Sequence, residues 1–395
     1  MGMITKENKT QYIVSGIHYA TGRPVSLEIC DGRIINISEP EKLIGVDMNL
    51  FIAPGLIDNQ INGYANVDFS GKNLSAGGVI AAAEAIWQEG VTTFLPTLIT
   101  GSHENLIANF NVLNEALVTD KRLAGSIVGF HLEGPYISPD EGYRGCHPVQ
   151  HIRKPSWDEF SVYKKAAGGK IIQVTLAPEL EGSMEFIRFC KKNGIIIAMG
   201  HTNSTSEDVK KAVEAGVTLS THLGNGCANF IHRHHNPIWP QLANENLTST
   251  IIADGLHLLP EELIVFFKVK GPDKLILTSD VIFLAGMTPG IYTFLESEVE
   301  LTKEGMLRNT KLNCLAGASF PLKTGVGNMM KFTGCSLGDA VNMASSNVAD
   351  IYGLNDRGSL AAGKRADLIM FEKDAGQIKI RRTYLEGELV YKSET

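Results

Sequence analysis

At 395 residues, 44% of them hydrophobic and 20% charged, the chain can bury a sizeable core, which excludes a largely disordered protein. Its formal net charge of −7, without long runs of one sign, argues against a nucleic-acid-binding surface. No apolar run reaches membrane-spanning length, Met1–Thr10 lacks the apolar stretch of a secretory signal, and the six scattered cysteines form no C-x-x-C pair. Reduced thiols, a cytoplasmic location and no membrane partner are therefore expected.

Taken in chain order, Tyr12–His18, Val25–Cys30 and Arg33–Ser38 read as strands, with Asp31-Gly32 as a tight-turn pair. Phe51–Ile57 is a short apolar run. Ala76–Gln88 is an Ala-rich helix before the strand Val91–Leu95, and Leu106–Leu117 a helix before the strand Ser126–Leu132. The runs Ile171–Leu176, Ile195–Met199, Val217–Thr221, Thr248–Ala253 and Leu275–Thr278 follow, with helices such as Met184–Lys192 and Ser206–Ala215 between them. Near-continuous apolar strands alternating with helices predict a parallel sheet covered on both faces. Asp367–Phe371, Ile378–Tyr384 and Glu388–Tyr391 return to short strands. The expected class is α/β: a (β/α)₈ barrel over residues 54–354, with a small β-sandwich domain built from residues 1–53 and 355–395.

The polar residues favour the barrel over a doubly wound open sheet, which would gather them at one switch point. Asp58, Gln60 and Asn62 come with the first run, His131 and Glu133 close the third, and Glu179 follows the fourth. His201 ends the fifth, His222 the sixth, Asp254 and His257 follow the seventh, and Asp280 the eighth. Chemically capable groups at successive strand ends are how this barrel builds a site.

His201 and His222, two imidazoles from adjacent strands, and the Glu133 carboxylate compose a three-ligand set with an open position. A histidine held at a strand end by an ordinary hydrogen bond is the bland alternative for either one. One divalent ion is expected, zinc foremost, with Fe2+, Mn2+ or Co2+ as substitutes. Asp280 could exchange a proton with water there, or serve merely as a helix cap. His257 could polarise a carbonyl or sit in solvent. His147 has weaker support from spacing. Arg233, in Ile231-His-Arg-His-His235, suits a phosphate, although most surface arginines bind only water. Gln60 and Asn62 stand where binuclear relatives of this barrel carry His-x-His, and Gln173–Ala177 has no lysine to carboxylate, so one metal is expected rather than two. No phosphate-loop or dinucleotide fingerprint occurs.

Ala53-Pro-Gly-Leu-Ile-Asp58, Thr93-Phe-Leu-Pro-Thr97, His131-Leu-Glu-Gly-Pro135 and Thr175-Leu-Ala-Pro-Glu179 belong to a longer pattern. It continues through Gly200-His-Thr-Asn-Ser-Thr205, Thr221-His-Leu-Gly-Asn225, Ala253-Asp-Gly-Leu-His257, Leu315-Ala-Gly317 and Gly363-Lys-Arg-Ala-Asp-Leu368. The whole resembles the N-acetylglucosamine-6-phosphate deacetylase family of the amidohydrolase superfamily, over nearly the full length. The resemblance implies Glu133, His201 and His222 as metal ligands and Asp280 as acid/base. It implies His257 and His147 at the sugar and its acetamide, and Asn225 with the Gly226 backbone at the phosphate. Arg233 would reach that phosphate from the partner subunit of a homodimer. The chain departs from the family pattern at Gly224, Gly226 and Cys227, at Arg233-His-His-Asn236-Pro237, and at Val281 and Val348. These cluster around the sugar pocket, so the galacto epimer, an N-acylated amino acid or a cyclic amide are alternative substrates. A non-catalytic sugar-phosphate sensor and a metal-free structural barrel are the rivals of another class.

Overall fold

The computed structural model describes residues 11–39, 49–295, 297–309, 311 and 314–394. The expectations for Met1–Thr10, and the stretch 40–48 of the N-terminal β unit, lie outside the described residues.

Eight parallel strands form the barrel: β1 (Leu56–Ile61), β2 (Val91–Ile99), β3 (Phe130–Glu133), β4 (Ile171–Leu176), β5 (Ile196–Met199), β6 (Leu219–Ser220), β7 (Thr248–Ile251) and β8 (Leu275–Leu277). Every residue of β1, β2 and β3 is buried, as expected for strands covered on both faces. The ring closes at its C-terminal end, where Ile61 bridges Val281. Lower down, Met343 and Ala344 stand between the two edges, accepting from the Leu277 and Ile57 backbone N–H groups.

Helices wrap the outside. Ser206–Ala215 shows the local logic: Thr205 and Asp208 form a capping box at its start, Gly216 ends it, and Val209, Ala212 and Ala215 bury one stripe. Ala76–Gln88 begins and ends where its sequence pattern predicts. One strand expectation is corrected. Ser126–Leu132 is not continuous: Asp120 caps a short helix, Lys121–Ser126, and the strand starts only at Phe130. Ser126 is buried, its hydroxyl donating to the Thr92 carbonyl and accepting from the Trp87 indole, so it holds a helix end against the barrel.

Phe51–Ile57 is also divided. Phe51–Pro54 joins a seven-stranded sheet with Gln11–His18, Pro24–Cys30, Arg33–Ser38, Leu368–Asp374, Gln377–Leu385 and Glu388–Lys392, while β1 begins at Leu56. The change of sheet occurs at Gly55, where a Cβ would come within 2.1 Å of the Thr92 hydroxyl. Both ends of the chain thus build one sheet, and its fourth strand in sequence leads directly into the barrel.

A four-stranded antiparallel sheet, Gly290–Phe294, Ser297–Leu301, Leu307–Asn309 and Cys314–Leu315, follows the eighth barrel strand. No sequence pattern announced it. Its apolar face packs Phe294, Val299, Leu301 and Leu307 with Ile282, Leu284 and Ile99 beside the barrel mouth.

Candidate active site

Glu133 is the last residue of β3 and fully buried. Its Oε1 accepts from His222 Nε2 at 2.9 Å and from Gln60 Nε2 at 2.9 Å, and lies 3.4 Å from His201 Nε2. Burial alone would raise this carboxyl, but the histidine hydrogen bonds and charges outweigh it and hold Glu133 well below the usual range. An anionic oxygen ringed by imidazole nitrogens in a dry pocket is a cation-ligating arrangement.

Three of the site residues leave their strands through a left-handed backbone: His201 at φ 50°, His222 at φ 31° and Asp280 at φ 52°. Such conformations cost a non-glycine residue on the order of 1 kcal/mol or more and persist only where surrounding bonds over-determine them. Those bonds are present. The Ser138 N–H donates to the His201 carbonyl, the His222 N–H to the Thr250 hydroxyl at 2.7 Å, and the Asp280 N–H to the Gln60 carbonyl. His201 Nδ1–H donates to the Tyr143 carbonyl at 2.9 Å, which leaves the lone pair of the neutral ring on Nε2, the nitrogen facing Glu133. His222 Nδ1 is buried and without a hydrogen-bond partner among the described residues. The His222 ring is held above its ordinary value: burial opposes this, but the bond to Glu133 prevails.

His147 enters the same cluster. Its ring centroid is 4.4 Å from that of His201, and ligand atoms of Glu133, His147 and His201 lie within 4.8 Å of one another. Burial, aided by the neighbouring His201, pushes His147 down to about 3, so it is a neutral donor at physiological pH. Its Nδ1 faces the Thr100 hydroxyl at 2.8 Å. Among the described residues Glu133, His147 and His201 thus form one group of close ligand atoms, and His222 meets the same Glu133 oxygen through its own hydrogen bond.

Asp280 Oδ1 accepts from Gln60 Nε2 at 2.7 Å and from Asn62 Nδ2 at 2.8 Å. Gln60 thus bridges two carboxylates with one amide nitrogen. Burial, followed by the negative charge of Glu133, raises the Asp280 carboxyl. His257 Nδ1–H donates to Asp254 Oδ2 at 2.7 Å, and Asp254 also accepts from the backbone N–H groups of Leu256 and His257. Asp254 is held down; burial opposes this and the His257 bond overcomes it.

These groups line a cavity of about 440 Å³, with Asn62, Glu133, His147, His201, His222, Asn225, Gly226, His257 and Asp280 all on its wall. Asn225 Nδ2 is buried and has no hydrogen-bond partner among the described residues. Gly226 adopts φ 61°, and a Cβ there would meet the His201 ring at 2.9 Å, so only glycine lets this loop approach so closely. Arg233 is exposed and is not part of its own chain's cavity wall. Sequence reasoning missed the apolar wall from Ile282, Phe294 and Leu295, the Tyr143 carbonyl and Thr100. It noted Asp254 without giving it a part, although the Asp-Gly-Leu-His spacing was visible.

The parallel barrel with buried carboxylates and imidazoles at its C-terminal mouth defines a metal-dependent hydrolase architecture, and residues 51–390 match the amidohydrolase family. The chain belongs to that family, whose members are metal-dependent and cleave amide bonds. It is 34% identical to the N-acetylglucosamine-6-phosphate deacetylase of Bacillus subtilis over 93% of this chain and 92% of that one. It is 31% identical to the N-acetylgalactosamine-6-phosphate deacetylase of a Shewanella species, over 87% and 84%. Among solved structures, it is similar to a mutant N-acetyl-D-glucosamine-6-phosphate deacetylase from Mycobacterium smegmatis in complex with N-acetyl-D-glucosamine-6-phosphate. That likeness has a TM-score of 0.86 and 26% identity, covering 96% of this chain and 99% of the other. No helix among the described residues is long and apolar enough to cross a membrane.

Proposed function

We propose that the chain deacetylates N-acetylglucosamine-6-phosphate, giving glucosamine-6-phosphate and acetate, with one divalent ion held by Glu133, His201 and His222. The observation that carries this reading is the convergence on Glu133 Oε1 of both imidazoles, with Asp280 joined to the same carboxylate through Gln60. The donor set fits such an ion: one buried anionic oxygen, with His201 Nε2 at 3.4 Å and His222 Nε2 at 2.9 Å from it. We favour His222 over His147 as third ligand because His222 contacts Glu133 directly. Zinc suits these ligands, with Fe2+, Mn2+ or Co2+ as substitutes. A cation bound there supplies Lewis acidity toward water and the acyl oxygen.

The protein's own groups do the rest. Gln60 and Asn62 bond Asp280 Oδ1, so proton transfer falls to Oδ2. A carboxyl raised by burial and by Glu133 is basic enough to take a proton from the attacking water and acidic enough to return it to the departing sugar amine. Asp254 fixes the His257 ring through Nδ1, which holds the ring on the cavity wall where the substrate's acyl group would lie. His147 contacts the sugar and its acetamide. The Asn225 amide and the Gly226 backbone hold the phosphate. Arg233, exposed outside its own cavity, reaches it from the partner subunit of a homodimer. Six free thiols support a cytoplasmic location.

Similarity to the galactosamine deacetylase favours a second reading, in which the 4-epimer is the substrate. Acetate release from N-acetylglucosamine-6-phosphate, its galacto epimer and both unphosphorylated sugars, on metal-analysed protein, tests all of this. Preferred turnover of the gluco phosphate supports the proposal. Preferred turnover of the epimer, or no loss on removing the phosphate, overturns the substrate assigned.

A further inference from the structure

Three cysteines line the cavity: Cys146, Cys227 and Cys314. Two of them meet. Cys146 and Cys314 are 168 residues apart in the chain, yet their Sγ atoms are 3.1 Å apart. Cys146 immediately precedes His147 in the loop over the barrel mouth. Cys314 begins the last strand of the inserted sheet, and Cys146 Sγ also lies 3.3 Å from the carbonyl of its neighbour Leu315. Both thiols are free and only partly buried. The third, Cys227, instead donates to the Gly224 carbonyl at 3.4 Å.

We propose that Cys146 and Cys314 are a reversible oxidation site, at which hydrogen peroxide forms a disulfide that pins the inserted sheet to the loop carrying His147 and slows turnover. Sulfurs already in contact need to approach by only about 1 Å to reach a disulfide length of ~2.05 Å. The chemistry balances in two steps. The Cys314 thiolate attacks one peroxide oxygen, the O–O bond breaks, and the departing hydroxide takes a proton to leave as water. Cys314 is then a sulfenic acid. The Cys146 sulfur attacks it, the S–S bond forms, the S–O bond breaks, and the hydroxyl leaves as a second water with the proton from Cys146. Two thiols lose two electrons in total and one hydrogen peroxide gains them. Cys314 suits the attacking role: its contact with Cys146 pulls its thiol down against burial, with the positive charge of Arg144 adding to the effect.

The link would matter because of what the two segments carry. The insert supplies the apolar side of the cavity through Phe294, Leu295 and Leu315, and the loop supplies His147. Joined, they can no longer separate to admit or release a sugar. This consequence for turnover rests on the proposed deacetylation; the bond itself does not.

The test uses zinc-loaded full-length protein, so that oxidation of the metal is not a factor. After hydrogen peroxide, thiol titration should show two of the six thiols lost. Non-reduced peptide mass mapping should find residues 146 and 314 linked. Acetate release should fall by up to about 100-fold, the scale expected from a substrate contact misplaced by about 1 Å, and return with dithiothreitol. Cys314→Ser should show no fall on peroxide relative to its own untreated rate. A map without the 146–314 link, or with Cys227 in its place, overturns the proposal. So does a linked protein with undiminished turnover. If no sugar releases acetate before treatment, the deacetylase reading fails, and the peptide map still decides the bond.

Discussion

Replacing Asp280 by asparagine separates its chemical from its structural part. Both hydrogen bonds to Asp280, from Gln60 at 2.7 Å and Asn62 at 2.8 Å, end on Oδ1, and an amide oxygen can accept both. The fold around the site should therefore survive. What is lost is the ability to take up and return a proton, worth about 10²–10⁴-fold in kcat, or roughly 3–5 kcal/mol of barrier. Stability should move the other way. The folded carboxyl is raised above 3.8 by burial and by Glu133, so its stabilising share is complete below that value and is lost as pH rises through the folded one. Above the folded value the ionised group is a liability in the metal-free protein, and a neutral isostere removes it. Chelator-treated Asp280→Asn should thus melt no lower than the parent at pH 7, while the reloaded variant binds metal and substrate but hardly turns over. Turnover within a few-fold of the parent would refute the proton-transfer argument. A Tm several degrees lower would show instead that the carboxylate is a structural anchor.

Other outcomes follow from the same geometry. His222→Asn should purify with most of its metal gone, whereas His147→Asn should retain metal and show a raised KM; elemental analysis giving the reverse pattern would favour the Glu133–His147–His201 triad. Asp254→Asn, which weakens the grip on His257 Nδ1, should lower kcat on the order of 10–100-fold at unchanged metal content, by comparison with carboxylates that orient ligand histidines. Asp58 is fully buried with Oδ2 unpartnered among the described residues, and burial pushes its carboxyl from 3.8 to about 6. Stability from this group is present below pH 4 and lost as pH rises through 6, by about 3 kcal/mol at 1.36 kcal/mol per unit. Asp58→Asn should flatten the fall in Tm between pH 4 and 7, and an unchanged slope would contradict it.

Much of this was legible in the chain alone, because most barrel strands buried on both faces read as short apolar runs. A polar residue at a strand end therefore stands out, and Glu133, His201, His222, His257 and Asp280 could be selected before any coordinates. The helix Ser206–Ala215 was readable for the related reason that caps and periodicity are local. Tertiary structure decided what depends on distance between remote segments. That Gln60 spans two carboxylates, that His147 packs beside His201, and that Cys146 meets Cys314 are contacts across 73, 54 and 168 residues of chain. The inserted sheet was invisible because its strands are short, two to five residues, and bury only part of one face, so no period develops. Sequence pattern names residues by the environment that each one needs. Which of them share an environment is set by closure of the barrel, a property of no single segment.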